Sequence, residues 1–139
     1  MDAKDHAILE LLRDNARLPL KTIAGAVGLA SSSVRERIAR LEDSGLIVGY
    51  GARLGLTAPG VSAILLVRLK ATPDRGAVAD LVAMAAVRRC WSVAGEIDLI
   101  VEIWGADMNA LNVARDAIAT HEGVKAVTTA PVLLREKDG

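Results

Sequence analysis

Apolar side chains recur along this chain with two different periods. In the first third they return every three or four residues, the spacing of one helix face. Ala7, Ile8, Leu11 and Leu12 form such a stripe within Ala3–Asp14, with Lys4, Glu10 and Arg13 off it. Pro19 suits a first helical turn, where its missing N–H costs nothing. Ile23, Ala24 and Val27 then give a short second stripe over about 20–27. Gly28 stands where a left-handed residue ends a helix. Ser31 is a good N-cap for a third helix running to about Ser44. That helix carries Val34, Ile38 and Leu41 at i, i+4 and i+7, and Gly45 is its stop. LIVGYGARLGL, residues 46–56, alternates and holds Gly49 and Gly51. It reads either as a small hairpin or as one extended strand.

Thr57, Pro59 and Gly60 mark a linker over 56–60, and the rhythm changes beyond it. VSAILLVRLKA, residues 61–71, is a strand apolar on both faces for much of its length. Pro73 and Asp74 open a helix to about Ala86, with Val78, Leu81, Val82 and Ala85 as its stripe. Val87–Ala94 and Ile97–Trp104 are strands separated by the GEID turn, Gly95 to Asp98. Asp107 caps a helix to about His121 built on Leu111, Ala114 and Ile118; Gly123 stops it, and Val124–Leu134 is the last strand. The order β-α-β-β-α-β is that of a ferredoxin-like domain. The expected class is α+β: a helical unit over 1–55, the linker, and a ferredoxin-like domain over 61–139.

Residues 20–38 fill every slot of a helix-turn-helix: Ile23, Val27 and Leu29 where two helices cross, the small Ala24 at the crossing, and Gly28 in the turn. At about 100° per residue, Val34, Ile38 and Leu41 point one way along the third helix. Ser33 and Arg40 lie on one flank, with Arg37 between them and the core. Arg35 lies on the other flank, and Ser32 and Glu36 point outward. Together with Ser31, these hydroxyls and guanidinium groups are what a helix in the major groove of DNA requires. Arg53, beyond the glycine-rich segment, and Lys21 and Arg17, flanking the second helix, could reach neighbouring phosphates. The same residues also fit a plain N-cap cluster beside a solvated ion-pair face with Glu36, Glu42 and Asp43.

Composition narrows the choices. Seventeen basic residues balance seventeen acidic ones, so DNA binding must come from local placement of charge and from two copies acting together. With no phenylalanine, one tyrosine and two tryptophans, the core is aliphatic and base stacking on single strands is disfavoured. The single cysteine, Cys90, excludes an internal disulfide and points to a reducing compartment. The N-terminus, MDAKDHAILELL, carries acids where a signal peptide would be basic, and no apolar run approaches a membrane span. A cytoplasmic protein is expected.

LELLRDNARLPLKTIAGAVGLASSSVRERIARLEDSGLIVGY (Leu9–Tyr50) and VAGEIDLIVEIWGADM (Val93–Met108) resemble the Lrp/AsnC, or feast/famine, family of transcription regulators. The resemblance implies a winged helix-turn-helix followed by a ligand-sensing and oligomerising domain. The chain stops at REKDG soon after its last strand, where many members of the family continue. Contacts made by that tail are therefore expected to be missing or made differently.

In the second domain Ile97, Leu99, Val101 and Ile103 share one face of their strand, and Asp98, Ile100, Glu102 and Trp104 the other. Both helices of such a domain cover one face of the sheet. The opposite face would leave Ile64, Leu66, Ile100 and Trp104 wet, so a second copy packed sheet to sheet is expected. The family resemblance adds higher assembly of such dimers. GEID could be only a tight, solvated turn. In the family the matching turn lies at a small-molecule pocket, so Gly95, Glu96 and Asp98, with Leu99 as a wall, become candidates for an amino-acid-like effector.

Two rival readings remain: an enzyme resembling haem-pathway decarboxylases of similar build, and a protein-interaction module. Histidine is confined to His6 and His121, Cys90 has no histidine near it in sequence, and no glycine-rich phosphate loop, HExxH or CxxC pattern is present. No catalytic residue, metal or cofactor is expected.

Overall fold

A computed structural model of the chain describes residues 1–55 and 58–137. Leu56 and Thr57 of the expected linker, and Asp138 and Gly139 of the tail, lie outside the described residues. The chain divides into two compact units, Met1–Arg53 and Leu54–Gly139.

The first unit holds α1 (Ala3–Asp14), α2 (Leu20–Val27) and α3 (Ser31–Asp43). Their apolar stripes meet in a core of Ile8, Ile23, Ala24, Val27, Val34 and Leu41. Asp2 caps α1 in a reciprocal box: its carboxylate accepts from the Asp5 N–H at 2.9 Å, and its own N–H donates to the Asp5 carboxylate at 2.9 Å. Pro19 sits one position earlier than expected, as the N-cap of α2. Gly28 is left-handed, φ 67° and ψ 46°, and its N–H and that of Leu29 both turn back to the Ala24 carbonyl. The Lys4 ammonium donates to the Val27 carbonyl, so α1 also closes the end of α2. Gly45, φ 75°, ends α3 as expected.

Three expectations for this unit change. Ala30 rather than Ser31 is the N-cap of α3, because its extended backbone already delivers its carbonyl to the Val34 N–H. Arg37 does not stand free on the outer side of α3. Its guanidinium reaches back to α1, donating to Asp2 at 2.7 Å and Asp5 at 2.8 Å, with its side chain only 20% exposed. Third, residues 46–55 form neither a hairpin nor a paired strand. Gly49, Gly51 and Gly55 weaken any ladder, and a lone two-stranded ribbon is marginal in water. The segment is instead tied down by side chains: Tyr50 donates to Glu42 at 2.6 Å and Arg53 to the Asp14 carbonyl at 2.6 Å. Burial and the Glu42 carboxylate push the Tyr50 phenol up to about 12.

The second unit is a four-stranded antiparallel sheet in the order β2-β3-β1-β4, from β1 (Val61–Leu69), β2 (Val87–Ser92), β3 (Leu99–Gly105) and β4 (Val124–Pro131). Helices α4 (Arg75–Val82) and α5 (Met108–Ala119) bury Ala77, Leu81, Leu111 and Ile118 against Ala63, Leu65, Val67, Leu99, Val101 and Ile103. Asp74 and Asp107 cap the two helices through the N–H groups of Ala77 and Ala110. Helix α4 ends four residues earlier than expected, since Ala86 already offers its carbonyl to the Trp104 N–H. Val82 is consequently exposed, and Ala77 and Leu81 carry the packing with Val78 beside them. Thr120, not Gly123, ends α5. Strands β2 and β4 are shorter than expected, and β3 begins at Leu99. Gly105 lets α5 cross close over the end of β3: a Cβ there would meet the Leu111 backbone nitrogen at 2.6 Å.

Two outcomes follow for stability. Gly105→Ala should cost about 1–3 kcal/mol in a denaturation series, because the obstacle is backbone and cannot swing away. Asp2 is held down to about 2, first by the Asp5 N–H and then by Arg37; Asp5 is also lowered, by the Asp2 N–H and then Arg37. Both carboxylates ionise more readily folded than unfolded. Their contribution is therefore complete above the ordinary value of 3.8 and is lost as pH falls towards about 2. Arg37→Gln should lower the denaturant midpoint at neutral pH and flatten its fall between about pH 4 and pH 2.

Candidate functional site

The outward side of α3 is what the first unit offers a partner. Val34 and Leu41 are buried and Ile38 packs beside them, which fixes the rotation of the helix. Ser31, Ser32, Arg35, Glu36, Ala39 and Arg40 are exposed and Ser33 is half-buried. No side chain caps the first turn of α3, so its leading N–H groups have no side-chain partner. Among the described residues neither the Arg35 nor the Arg40 guanidinium has a hydrogen-bond or ion-pair partner. The surface thus presents two untethered guanidinium groups and three hydroxyls around one acid. Lys21 is exposed on α2. Arg53 lies beside a groove of about 690 Å³ between the end of α1 and residues 46–53, and is tied to Asp14 across it.

The turn before β3 is tight. Gly95 has φ 111°, a conformation that side chains rarely adopt. The Val93 N–H donates to the Asp98 carbonyl at 3.0 Å. Glu96 is exposed. Asp98 is largely committed to its own unit: one carboxylate oxygen accepts from the Leu69 N–H at 2.7 Å and the other from the Thr72 hydroxyl at 3.2 Å, and its N–H donates to the Val67 carbonyl at 3.0 Å. Leu99, expected as a pocket wall, is only 1% exposed, because strand alternation sends it into the core beneath α4 and α5.

The sheet face away from the helices carries rows set by register. Trp91, Ile100, Leu66 and Thr128 lie side by side across the four strands; Arg89, Glu102, Ile64 and Ala130 form the next row, and Trp104 and Ser62 the third. Ile64, Leu66, Ile100 and Trp104 are half-buried and Trp91 is 46% exposed. The Trp104 indole lies over Gly60, where any Cβ would collide with it, and under the Arg88 guanidinium at 4.9 Å. The feature missed in the sequence is Glu102. It is 9% exposed in the middle of this face, with Arg89 and Arg135 each 3.5 Å from one of its oxygens. Its place was legible from strand alternation; its arginine from beyond β4 was not.

Elsewhere, His121 joins the ends of two helices. One ring nitrogen accepts from the Gly123 N–H at 3.0 Å and the other lies 2.9 Å from Asp80. Burial pushes the Cys90 thiol upward. Among the described residues no group of three or more His, Cys, Asp or Glu side chains could hold a metal, and no helix is long and apolar enough to cross a membrane.

Known proteins carry the same two parts. The AsnC-type helix-turn-helix domain matches residues 1–42 and the Lrp/AsnC ligand binding domain matches residues 62–139. The HTH-type transcriptional regulator FL11 of Pyrococcus furiosus is 31% identical over 140 residues, spanning 99% of this chain and 93% of that protein. The leucine-responsive regulatory protein of Rhizobium meliloti is 32% identical over 149 residues, spanning 99% and 92%. Among solved structures, a transcriptional regulator from Neisseria meningitidis in complex with L-Met superposes with a TM-score of 0.80 at 28% identity, covering 99% of this chain and 93% of that one. The leucine response regulatory protein LrpA of Mycobacterium tuberculosis gives 0.84 at 28%, covering 99% and 96%. Both domain matches fall on the units described above, and together they span well over half the sequence: the chain belongs to the Lrp/AsnC family of transcriptional regulators, with a helix-turn-helix for DNA and a ligand-binding domain, and it is not an enzyme.

Proposed function

We propose that this regulator reads double-stranded DNA with Ser31, Ser32, Ser33, Arg35 and Arg40 of α3, supported at the phosphates by Lys21 and Arg53. The observation that carries the reading is the split among the arginines of one helix. Arg37 is spent on α1, while Arg35 and Arg40 stand exposed on the side that packing leaves bare. An arginine fork matches guanine or phosphate oxygens, and the uncapped N–H groups at the start of α3 match an anion. With no net charge on the chain, one copy binds weakly. A second copy packs on the sheet face of Ile64, Leu66, Ile100 and Trp104, supplying a paired recognition helix, and such dimers assemble further. The protein works in the cytoplasm, with its DNA.

The effector is amino-acid-like and binds at the turn of Gly95–Asp98. Because Asp98 already receives a backbone N–H and a hydroxyl, Glu96 is the carboxylate left for a ligand ammonium, and Asp98 holds the turn in shape. Leu99 plays no direct part. The Neisseria meningitidis relative in complex with L-Met supports this ligand class. Ligand at this turn changes the assembly and thereby the spacing of the paired helices.

The DNA reading is tested on genomic fragments selected by the purified protein. Arg35→Ala and Arg40→Ala should each cost about 1–3 kcal/mol of affinity and lower the salt slope, with unchanged thermal stability; unchanged affinity for both would favour a protein partner instead. For the effector, calorimetry across a panel of amino acids should find a ligand whose affinity drops about tenfold in Glu96→Gln. Asp98→Asn should instead lower the unfolding temperature. If no amino acid alters binding heat, assembly size or DNA affinity, the effector assignment fails.

A further inference from the structure

Glu102 is an expensive residue to place on a docking face. It is nearly closed off from water, with Ile64 opposite it across the strands and Ile100 and Trp104 on the same strand face. A carboxylate in such a place needs cationic partners. The two it has are at the long end of contact: Arg89 Nη1 lies 3.5 Å from Oε2 and Arg135 Nη2 lies 3.5 Å from Oε1. Arg89 is 58% exposed, and a guanidinium offers five N–H donors in a planar fork. The face therefore carries a loosely held anion at its middle and a cation beside it with donors to spare.

A second copy of this chain is the partner that matches this charge distribution. In a two-fold sheet-to-sheet packing with its axis near the row of Arg89, Glu102 and Ile64, each Glu102 faces the arginines of the other copy and each arginine faces the other carboxylate. Docking removes the remaining water and strengthens every such contact. A sheet slipped by two residues, or an unlike chain without an arginine at that position, would bury the carboxylate with too few donors. Breaking a buried charge pair in this way costs orders of magnitude in affinity. A purely apolar face would tolerate both errors.

We propose that Glu102, with Arg89 and Arg135, sets the register of the sheet-to-sheet dimer and selects a like chain as its partner. This inference rests on the dimer proposed above. Apolar contact supplies the adhesion; the charged trio supplies the choice.

The test is chain exchange between the wild type and a charge-swapped chain, Glu102→Lys with Arg89→Glu and Arg135→Glu. The swap keeps the attraction within each chain and reverses it between unlike chains. Each protein alone should sediment as a dimer. After exchange, mixed dimers should be at least about tenfold below their random share. Mixed dimers at the random share would show that the trio acts only within its own chain, and the proposal falls. Should the triple variant not fold, Glu102→Gln gives the second reading: it should remain a dimer, and its dissociation should lose most of the wild type's dependence on salt. A salt dependence equal to wild type overturns the proposal. A wild type that stays monomeric at micromolar concentration removes the dimer itself, an outcome distinct from unselective pairing.

Discussion

Holding α3 on one side while leaving the other bare is the constraint on which the first unit is built. Val34 and Leu41 lock the helix against Ile8 and Ile23, and Arg37 adds a second attachment through Asp2 and Asp5. The attachment works because Asp2 and Asp5 are already organised by the capping box of α1, so the guanidinium meets two fixed carboxylates rather than two mobile ones. Lys4, the residue before Asp5, fastens α1 to the end of α2 at the bend before α3. Asp2, Lys4 and Asp5 at the start of the chain thus hold both helices of the helix-turn-helix, and Arg35 and Arg40 inherit a fixed direction.

The second unit solves a different problem with the same means. Its sheet has one face closed by α4 and α5 and another with aliphatic and indole surface still open to water. Asp98 and Glu102 lie on the same side of β3, and both are held by groups from elsewhere. Asp98 reaches the end of β1 and the segment after it; Glu102 reaches β2 and the chain beyond β4. Polar groups therefore stitch the strand both at its entry turn and at its middle.

Much of this was legible in the sequence, because short-range rules govern it. Three-four periodicity placed α1, α2 and α3, the position of Gly28 marked its left-handed turn, and alternation assigned the faces of β1 and β3. The same alternation places Leu99 in the core, so its expected role as a pocket wall conflicted with a rule already in use. What stayed hidden depends on contacts distant along the chain. Arg37 and Asp2 are 35 residues apart, and nothing in the spacing of arginines along α3 tells which one will be captured. Asp98 looks like a solvated turn acid until Leu69 and Thr72 are seen to reach it. The hairpin or extended strand expected at 46–56 rested on alternation and two glycines, which mark a strand but do not supply its neighbour. Helix α4 ended early because the sheet claims Ala86 first.

The distribution of ring systems has a consequence of its own. The chain has two tryptophans, and both lie on the helix-free face of the sheet, Trp91 at 46% exposure and Trp104 between Gly60 and a guanidinium. Its one tyrosine lies in the other unit, bonded to a carboxylate. Indole emission from this protein consequently originates from a single surface. Its colour and quenching register what covers that surface, while the phenol gives a separate signal from the helical unit, so the molecule carries a built-in optical label for each half.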